Sequence, residues 1–231
     1  MAQKIEVEDC VRPLGLRDAA AQAARANILR AALRVFARYG YEGGSVDKIA
    51  RAAKTHGRMI FYYFDNKEGL FIAALEEVYH RMEVAEAKLV LDMADPVEAL
   101  AQVIRFKVDY YRDNPDFIAL VNIENLHKGR HIEHSKRTSQ LSTHAVGTVA
   151  QILASGVEQG LFRPELKAGD VYLLIASVGY LYTSCRYTLT TFLGRPLTTQ
   201  ESLTHWLEFA TESVLRTVCV DSGAATRSKA A

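Results

Sequence analysis

Three imidazoles and a carboxylate are the first residues whose spacing could do chemistry. His127, His131 and His134 follow one another at four and three residues, with Glu124 just before them. On an unbroken helix that pattern would gather nitrogen ligands suited to zinc. Gly129 argues against an unbroken helix, and Lys128, Arg130 and Lys136 would repel a divalent cation. The segment is therefore read as a surface corner between helices, and no metal is assigned. Stoichiometric zinc binding in a calorimetric titration would reverse that reading. Catalytic chemistry has still less to build on. There is no GxSxG elbow, no GxGxxG after a strand, no phosphate loop and no HExxH. Cys, Ser and His residues are scattered without a nucleophile–base pairing, so no catalytic residue and no cofactor is assigned.

Charge divides the chain into two unlike regions. Between Arg12 and Lys67 eleven cations face four anions, a net of +7, so the rest of a chain totalling +1 carries −6. A basic first quarter on an acidic body suits a module that binds a polyanion. Charge alone is equally compatible with arginines that merely solvate the outer face of a helix. Of 231 residues, 49% are hydrophobic, enough for one large or two small domains. Cys10, Cys185 and Cys219 form no CxxC pair, which fits reduced thiols in the cytoplasm. The start MAQKIEVEDC is unlike a signal peptide, and no uncharged apolar run approaches the ~18 residues of a membrane span. A soluble cytoplasmic protein with no membrane partner is expected.

Helical periodicity is widespread and strand signals are scarce, so the expected fold class is all-α. Ile28, Leu29, Ala32, Leu33, Phe36 and Tyr39 share one face of a helix ending at Gly40, with Arg25, Arg30, Arg34 and Arg38 opposite. After the loop YEGG, Ser45 can cap a helix over 46–53, and a second short helix spans 58–64. Longer helices are predicted over 67–91, 96–112, 116–127, 132–159, 168–192 and 199–219. Asp95-Pro96, Asn114-Pro115, Gly160 with Pro164, and Gly194 with Pro196 mark breaks between them. Residues 1–19 and 221–231 lack a periodic apolar face and read as disordered tails.

The short pair carries the function. Val46, Ile49, Ala50 and Ala53 give one apolar face, Ile60, Phe61 and Phe64 another, and a short turn joins them. Alanines at 50, 52 and 53 permit close approach. In such a pair one helix braces the other so that it can lie in a major groove. Periodicity alone would also fit two short core helices of any α-protein. The residue pattern goes further and resembles the TetR family, whose N-terminal domain reads T-x-x-x-I-A-x-x-A-G-V-S-x-G-x-x-Y-x-x-F-x-x-K-x-x-L. Ser45, Ile49, Ala50, Ala53, Phe61 or Tyr62, Phe64, Lys67 and Leu70 occupy those positions, and FARYGYEGGS from Phe36 matches the family's usual approach to them. The resemblance implies a three-helix helix-turn-helix domain over 20–67 and a larger helical ligand-binding and dimerisation domain over 68–220.

By that resemblance the DNA-binding surface is Ser45, Val46, Thr55, His56, Gly57, Arg58, Met59, Phe61, Tyr62, Tyr63 and Lys67. Arg58 would read a guanine edge, worth about 1–3 kcal/mol of discrimination. Tyr62, Tyr63 and Lys67 would hold phosphates and fix register. Phe61 stands where relatives often carry tyrosine, so that phosphate bond is missing or supplied by Tyr63. The turn departs from the pattern: Lys54 replaces glycine, Thr55-His56 replaces Val-Ser, and Gly57-Arg58-Met59 replaces Lys-Gly-Thr. Lys54 then needs a left-handed or otherwise altered backbone, at about 1 kcal/mol. Thr55 or His56 is left to cap the next helix, and the operator sequence does not carry over from relatives.

The partners implied are a double-stranded DNA operator, a second copy of the chain and a small-molecule effector. In the family the last two long helices pair with their symmetry mates. Here those are 168–192 and 199–219, with Leu173, Leu174, Leu181, Leu203, Trp206, Leu207, Phe209, Ala210 and Val214 as apolar candidates for the interface or the subunit's own core. Family members also hold a ligand pocket. Tyr110, Tyr111, Asn122 and Asn125 near one break, and Tyr180, Ser184 and Cys185 on the penultimate helix, suit a small, partly aromatic or amphipathic compound. The expected function is a repressor released from its operator by that effector. The alternative is a DNA-binding regulator or architectural protein without a ligand, and an activator would carry the same DNA motif.

Overall fold

Gly40 ends the first apolar run and, as expected, interrupts the regular helix. In a computed structural model describing residues 15–135 and 137–220, α1 spans Leu16–Gly43 and kinks at Gly40, where φ 72° and ψ 178° suit only glycine. Residues 16–19, expected in the N-terminal tail, are helical. The remainder of that tail to residue 14, including Cys10, and the expected tail from 221 lie outside the described residues. Tyr39 was expected on the buried face, yet it is 47% exposed, with the Lys48 ammonium 4.6 Å from its ring centroid.

Three short-to-long steps follow: α2 (Val46–Ala52), α3 (Gly57–Phe64) and α4 (Lys67–Glu86). Their capping chemistry is local. The Ser45 hydroxyl accepts from the Lys48 amide at 3.3 Å, and Asn66 Oδ1 accepts from the Gly69 amide at 2.8 Å. The remaining helices are α5 (Pro96–Asp113), α6 (Pro115–Leu126), α7 (Thr138–Glu158), α8 (Ala168–Ser184), α9 (Arg186–Leu193) and α10 (Gln200–Val218). Pro96 and Pro115 sit in first turns, where a missing N–H costs nothing. Among the described residues there is no sheet; an isolated bridge pairs Phe162 with Cys219.

Three predicted helices end early or divide. The one expected to reach Leu91 stops at Glu86, which is buried. The run expected over 168–192 breaks at Cys185, whose ψ of 9° leaves the helical range. The run expected from Ile132 begins as a single 3₁₀ turn, Ile132–His134. Here the cause is visible: the Glu124 carboxylate accepts the backbone amides of His131 at 2.8 Å and Ile132 at 2.9 Å, turning the chain back against α6. Lys128 and Gly129 take positive φ, 61° and 78°, to make that turn.

Two apolar cores result. One begins with Phe36, Ile49, Ile60 and Phe64 and continues along α4 through Phe71, Leu75 and Val78 to Tyr111, Phe117 and Leu120. The other joins Leu100 and Ile104 to Ile152, Phe162, Ile175, Val214 and Val218. Each such side chain stabilises by roughly 1.5–3 kcal/mol when buried. The first core crosses position 67, so α4 is a shared wall rather than a linker. It also holds phenols whose ionisation is suppressed. Burial pushes Tyr79 and Tyr110 up to about 12, and Tyr111 in the same direction. A raised folded value means the unfolded chain releases these protons first, from about pH 10. Stability conferred by the neutral phenols is therefore intact below pH 10 and lost as pH rises toward 12. Thermal melts across that interval should fall steeply, together with a rise in phenolate absorbance. Tyr79→Phe should flatten the fall; a fall unchanged in Tyr79→Phe would refute its assignment to that phenol.

Candidate nucleic-acid interface

The turn between α2 and α3 resolves the question posed by Lys54. Its φ is 53°, the left-handed conformation that glycine normally supplies. The Lys54 amide bonds the Arg51 carbonyl at 3.1 Å, and the Thr55 amide reaches the Ala50 carbonyl at 3.0 Å. Those two bonds form a Schellman end, which offsets the strain of a side chain at this position. Asn27 on α1 adds a bond from Nδ2 to the Ala53 carbonyl at 2.7 Å, fixing the turn to the first helix. Composition gave no reason to single out Asn27; only its position under the turn reveals it. His56 then takes the N-cap position of α3 with an extended backbone but makes no side-chain cap.

Two faces of α3 differ sharply. Ile60 and Phe64 are buried in the first core, and the Arg25 guanidinium of α1 covers the Phe64 ring at 4.7 Å. Arg58, Phe61 and Tyr62 face solvent, the last two at 52% and 75% exposure. Phe61, which periodicity put on the apolar face and the family resemblance on the DNA-facing surface, is turned outward. Val46, Met59 and Tyr63 are half-buried against the first core, and Gly57 lies beside Val46. Ser45 and Thr55 are half-buried at the two ends of α2, and His56 is exposed. Tyr63 holds an edge-to-face contact with Tyr62, centroids 4.9 Å apart, so the exposed phenol is that of Tyr62. The arrangement is an exposed helix face carrying one guanidinium and one phenol, braced from behind by apolar contacts. Such a face can enter a groove without deforming.

Lys67 occupies a different setting. Its ammonium lies 4.4 Å from the Tyr41 ring centroid and 3.5 Å from the Glu42 carbonyl, tying the start of α4 to the kinked end of α1. Tyr41 in turn meets His131 at 4.6 Å between centroids, and Phe71 meets it at 4.9 Å. His131 is completely buried, with Nδ1 2.7 Å from Glu124. The segment does turn between helices as a corner, but its histidines are not all on the surface: His134 is exposed, His127 is half-buried, and His131 is a packing element between the N-terminal helices and α6. Among the described residues no group of His, Cys, Asp and Glu has the geometry of a metal site.

Within the C-terminal helices, α6 and α8 bring three of the predicted pocket residues together. The hydroxyls of Tyr180 and Ser184 both donate to Asn122 Oδ1, the latter at 3.0 Å, and Tyr111 meets the Tyr180 ring edge-on at 6.2 Å. Tyr110 packs with Phe106 and Phe117. Asn125 is exposed and bonds back to the Val121 carbonyl at 2.9 Å, while Cys185 sits half-buried at the break after α8. The buried Lys107–Glu86 pair, 3.1 Å, was not foreseen, because neither residue belongs to a motif.

A family model described as "Bacterial regulatory proteins, tetR family" matches residues 28–74, and one described as "Tetracyclin repressor-like, C-terminal domain" matches 96–214. The transcriptional repressor NicS of Pseudomonas putida is 42% identical over 89% of this chain and 97% of its own length. The chain belongs to the TetR family. It is accordingly a sequence-specific DNA-binding transcriptional regulator with an all-α fold. This TetR regulator is also 29% identical to RutR of Escherichia coli, over 74% of this chain and 79% of that protein. Among solved structures, a regulator from Streptomyces coelicolor superposes with a TM-score of 0.63 at 22% identity, covering 84% of this chain and 98% of that one. FadR of Bacillus subtilis, solved with stearoyl-CoA, gives 0.60 at 20%, covering 82% and 97%. At these identities the likeness is one of fold. No helix of the described residues is long and apolar enough to cross a membrane.

Proposed function

We propose that this regulator is a dimeric cytoplasmic repressor that reads its operator with α3 and leaves it when a small effector binds between α5, α6 and α8. The observation that carries the DNA half is the division of α3 into a sealed face and a solvated one. Arg58 stands in the first turn of that helix and has no hydrogen-bond or ion-pair partner among the described residues, so its fork is free to meet a guanine edge. Tyr62 and the cations around it then hold phosphates. Exposed Leu173, Leu181 and Phe209 on α8 and α10 support self-association, whereas Ala210 and Val214 fill the subunit's own core.

The effector half rests on Asn122, Tyr180 and Ser184, polar groups gathered among aromatic side chains. That a protein of this fold was solved with stearoyl-CoA supports a small-molecule effector without assigning that ligand here. The naming of NicS as a repressor supports the sign of control. Selection of bound duplexes from a random pool, followed by mobility shifts, tests the DNA assignment. Arg58→Ala should lose preference for the selected sequence, by ten-fold or more per half-site, while Lys67→Ala weakens selected and scrambled duplexes alike. Equal effects of both substitutions on both duplexes would refute this division. Small molecules that raise the melting temperature and release the selected duplex identify the effector.

A further inference from the structure

Beyond α3, a second surface of the DNA-binding region has the chemistry of a polyanion seat. The outer sides of α1 and α2 enclose an open groove of about 550 Å³ lined by Arg34, Arg38, Tyr39, Lys48 and Arg51. Four cations converge there. The Lys48 ammonium bonds the Gly43 carbonyl at 2.9 Å and Arg51 Nε the Asp47 carbonyl at 3.3 Å, while Arg38 lies 5.3 Å from the Tyr39 ring centroid. Among the described residues none of the four is paired with a carboxylate, although ten ion pairs are found elsewhere. Like charges lining one groove repel one another, and an anion in the groove relieves that repulsion.

Position identifies the anion. In a helix-turn-helix the first helix of the pair crosses the sugar–phosphate backbone while the second lies in the groove. Lys48 and Arg51 are on α2, the crossing helix, and Arg34 and Arg38 add two cations to the same groove from α1. We propose that this groove seats backbone phosphates flanking the base pairs read by α3, so that the protein's footprint extends beyond its half-sites. The inference rests on α3 being the reading helix. The ligand is the phosphodiester chain, not a base, so the contact adds affinity and salt dependence without sequence preference.

The test uses the full-length protein and two duplexes bearing the selected site, one cut at the outer edges of the half-sites and one extended by flanking sequence. Arg34→Ala/Arg38→Ala removes four cations from a dimer. On the extended duplex the slope of log affinity against log salt should become shallower by about 3–4, at ~0.9 per phosphate lost. On the trimmed duplex variant and wild type should bind alike. Arg34→Lys/Arg38→Lys should retain the slope, which separates loss of charge from misfolding. An unchanged slope on the extended duplex, or an equal loss on both duplexes, overturns the proposal. So does melting-temperature protection by inorganic phosphate alone that the alanine substitutions abolish while the slope stays unchanged, since the groove then serves a small anion. Arg58→Ala in parallel reports on α3 through its sequence preference, so the two assignments fail separately.

Discussion

Gly69→Ala should abolish operator binding while leaving the C-terminal helices folded. Gly69 lies in the first turn of α4, and a Cβ there would stand 2.3 Å from the Phe64 carbonyl oxygen. That oxygen is backbone at the end of α3, so nothing flexible can yield. It also accepts the Asn66 amide at 2.7 Å, and Asn66 in turn caps α4 through the Gly69 amide. A methyl group therefore pries α3 from α4 and breaks the cap at once. Overpacking of this kind costs about 1–3 kcal/mol, and loss of the cap about 1 more. The two recognition helices of a dimer must meet half-sites a helical turn apart, so displacement of each compounds in the complex. Mobility shifts should show at least a hundred-fold loss, with far-UV circular dichroism near that of wild type and a lowered melting temperature. Gly69→Ala protein that binds the selected duplex with wild-type affinity would show that the α3–α4 junction can relax.

Gly69 also marks where reading residues one by one runs out. The apolar face of α1 apart from Tyr39, the Ser45 cap and the two proline starts were legible, because each depends on residues within about four positions of one another, while the strained Lys54 was legible through the glycine that the family pattern carries there. The solvated face of α3 was legible less completely. Phe61 looks like a core residue by type and periodicity, and only the family pattern pointed to the outward setting that it takes. The break before α7 was hidden for a related reason. Residues 132–159 have good helical character, but Glu124, seven residues before His131, captures two amides that a continuous helix would have used otherwise. His131, spaced as a metal ligand, proves to be filling space beside Tyr41 and Phe71. Of the pocket set, Asn122, Tyr180 and Ser184 meet because α6 and α8 pack together, a contact that helix periodicity does not encode.

The Lys107–Glu86 pair extends the same point from geometry to energy. Lys107 is fully buried, with its ammonium 3.1 Å from Glu86 Oε2, 3.9 Å from Met82 Sδ and 5.4 Å from the Tyr172 ring centroid. Glu86 is the last residue of α4, and Lys107 is on α5, so the pair fastens the shared wall to the C-terminal core. Burial pulls Lys107 below the usual lysine range, and the facing carboxylate pulls it partly back. Removing one partner leaves the other charge stranded, which costs about 3–5 kcal/mol, whereas replacing both with apolar groups of similar volume is often neutral. Lys107→Met alone should therefore lower the melting temperature by roughly 10 °C, and Glu86→Leu/Lys107→Met should recover most of that loss. The pH dependence distinguishes this from simple loss of packing. In Glu86→Gln the restoring carboxylate is gone, so Lys107 in the folded state falls further below 10.5. The unfolded chain then binds the extra proton, and stability must rise with pH from that lowered value up toward pH 10, where the buried tyrosines reverse the trend. Melts of Glu86→Gln that are flat between neutral pH and pH 10, or single variants within about 1 kcal/mol of wild type, as for a solvent-exposed pair, would remove the pair from the account of what joins the two cores.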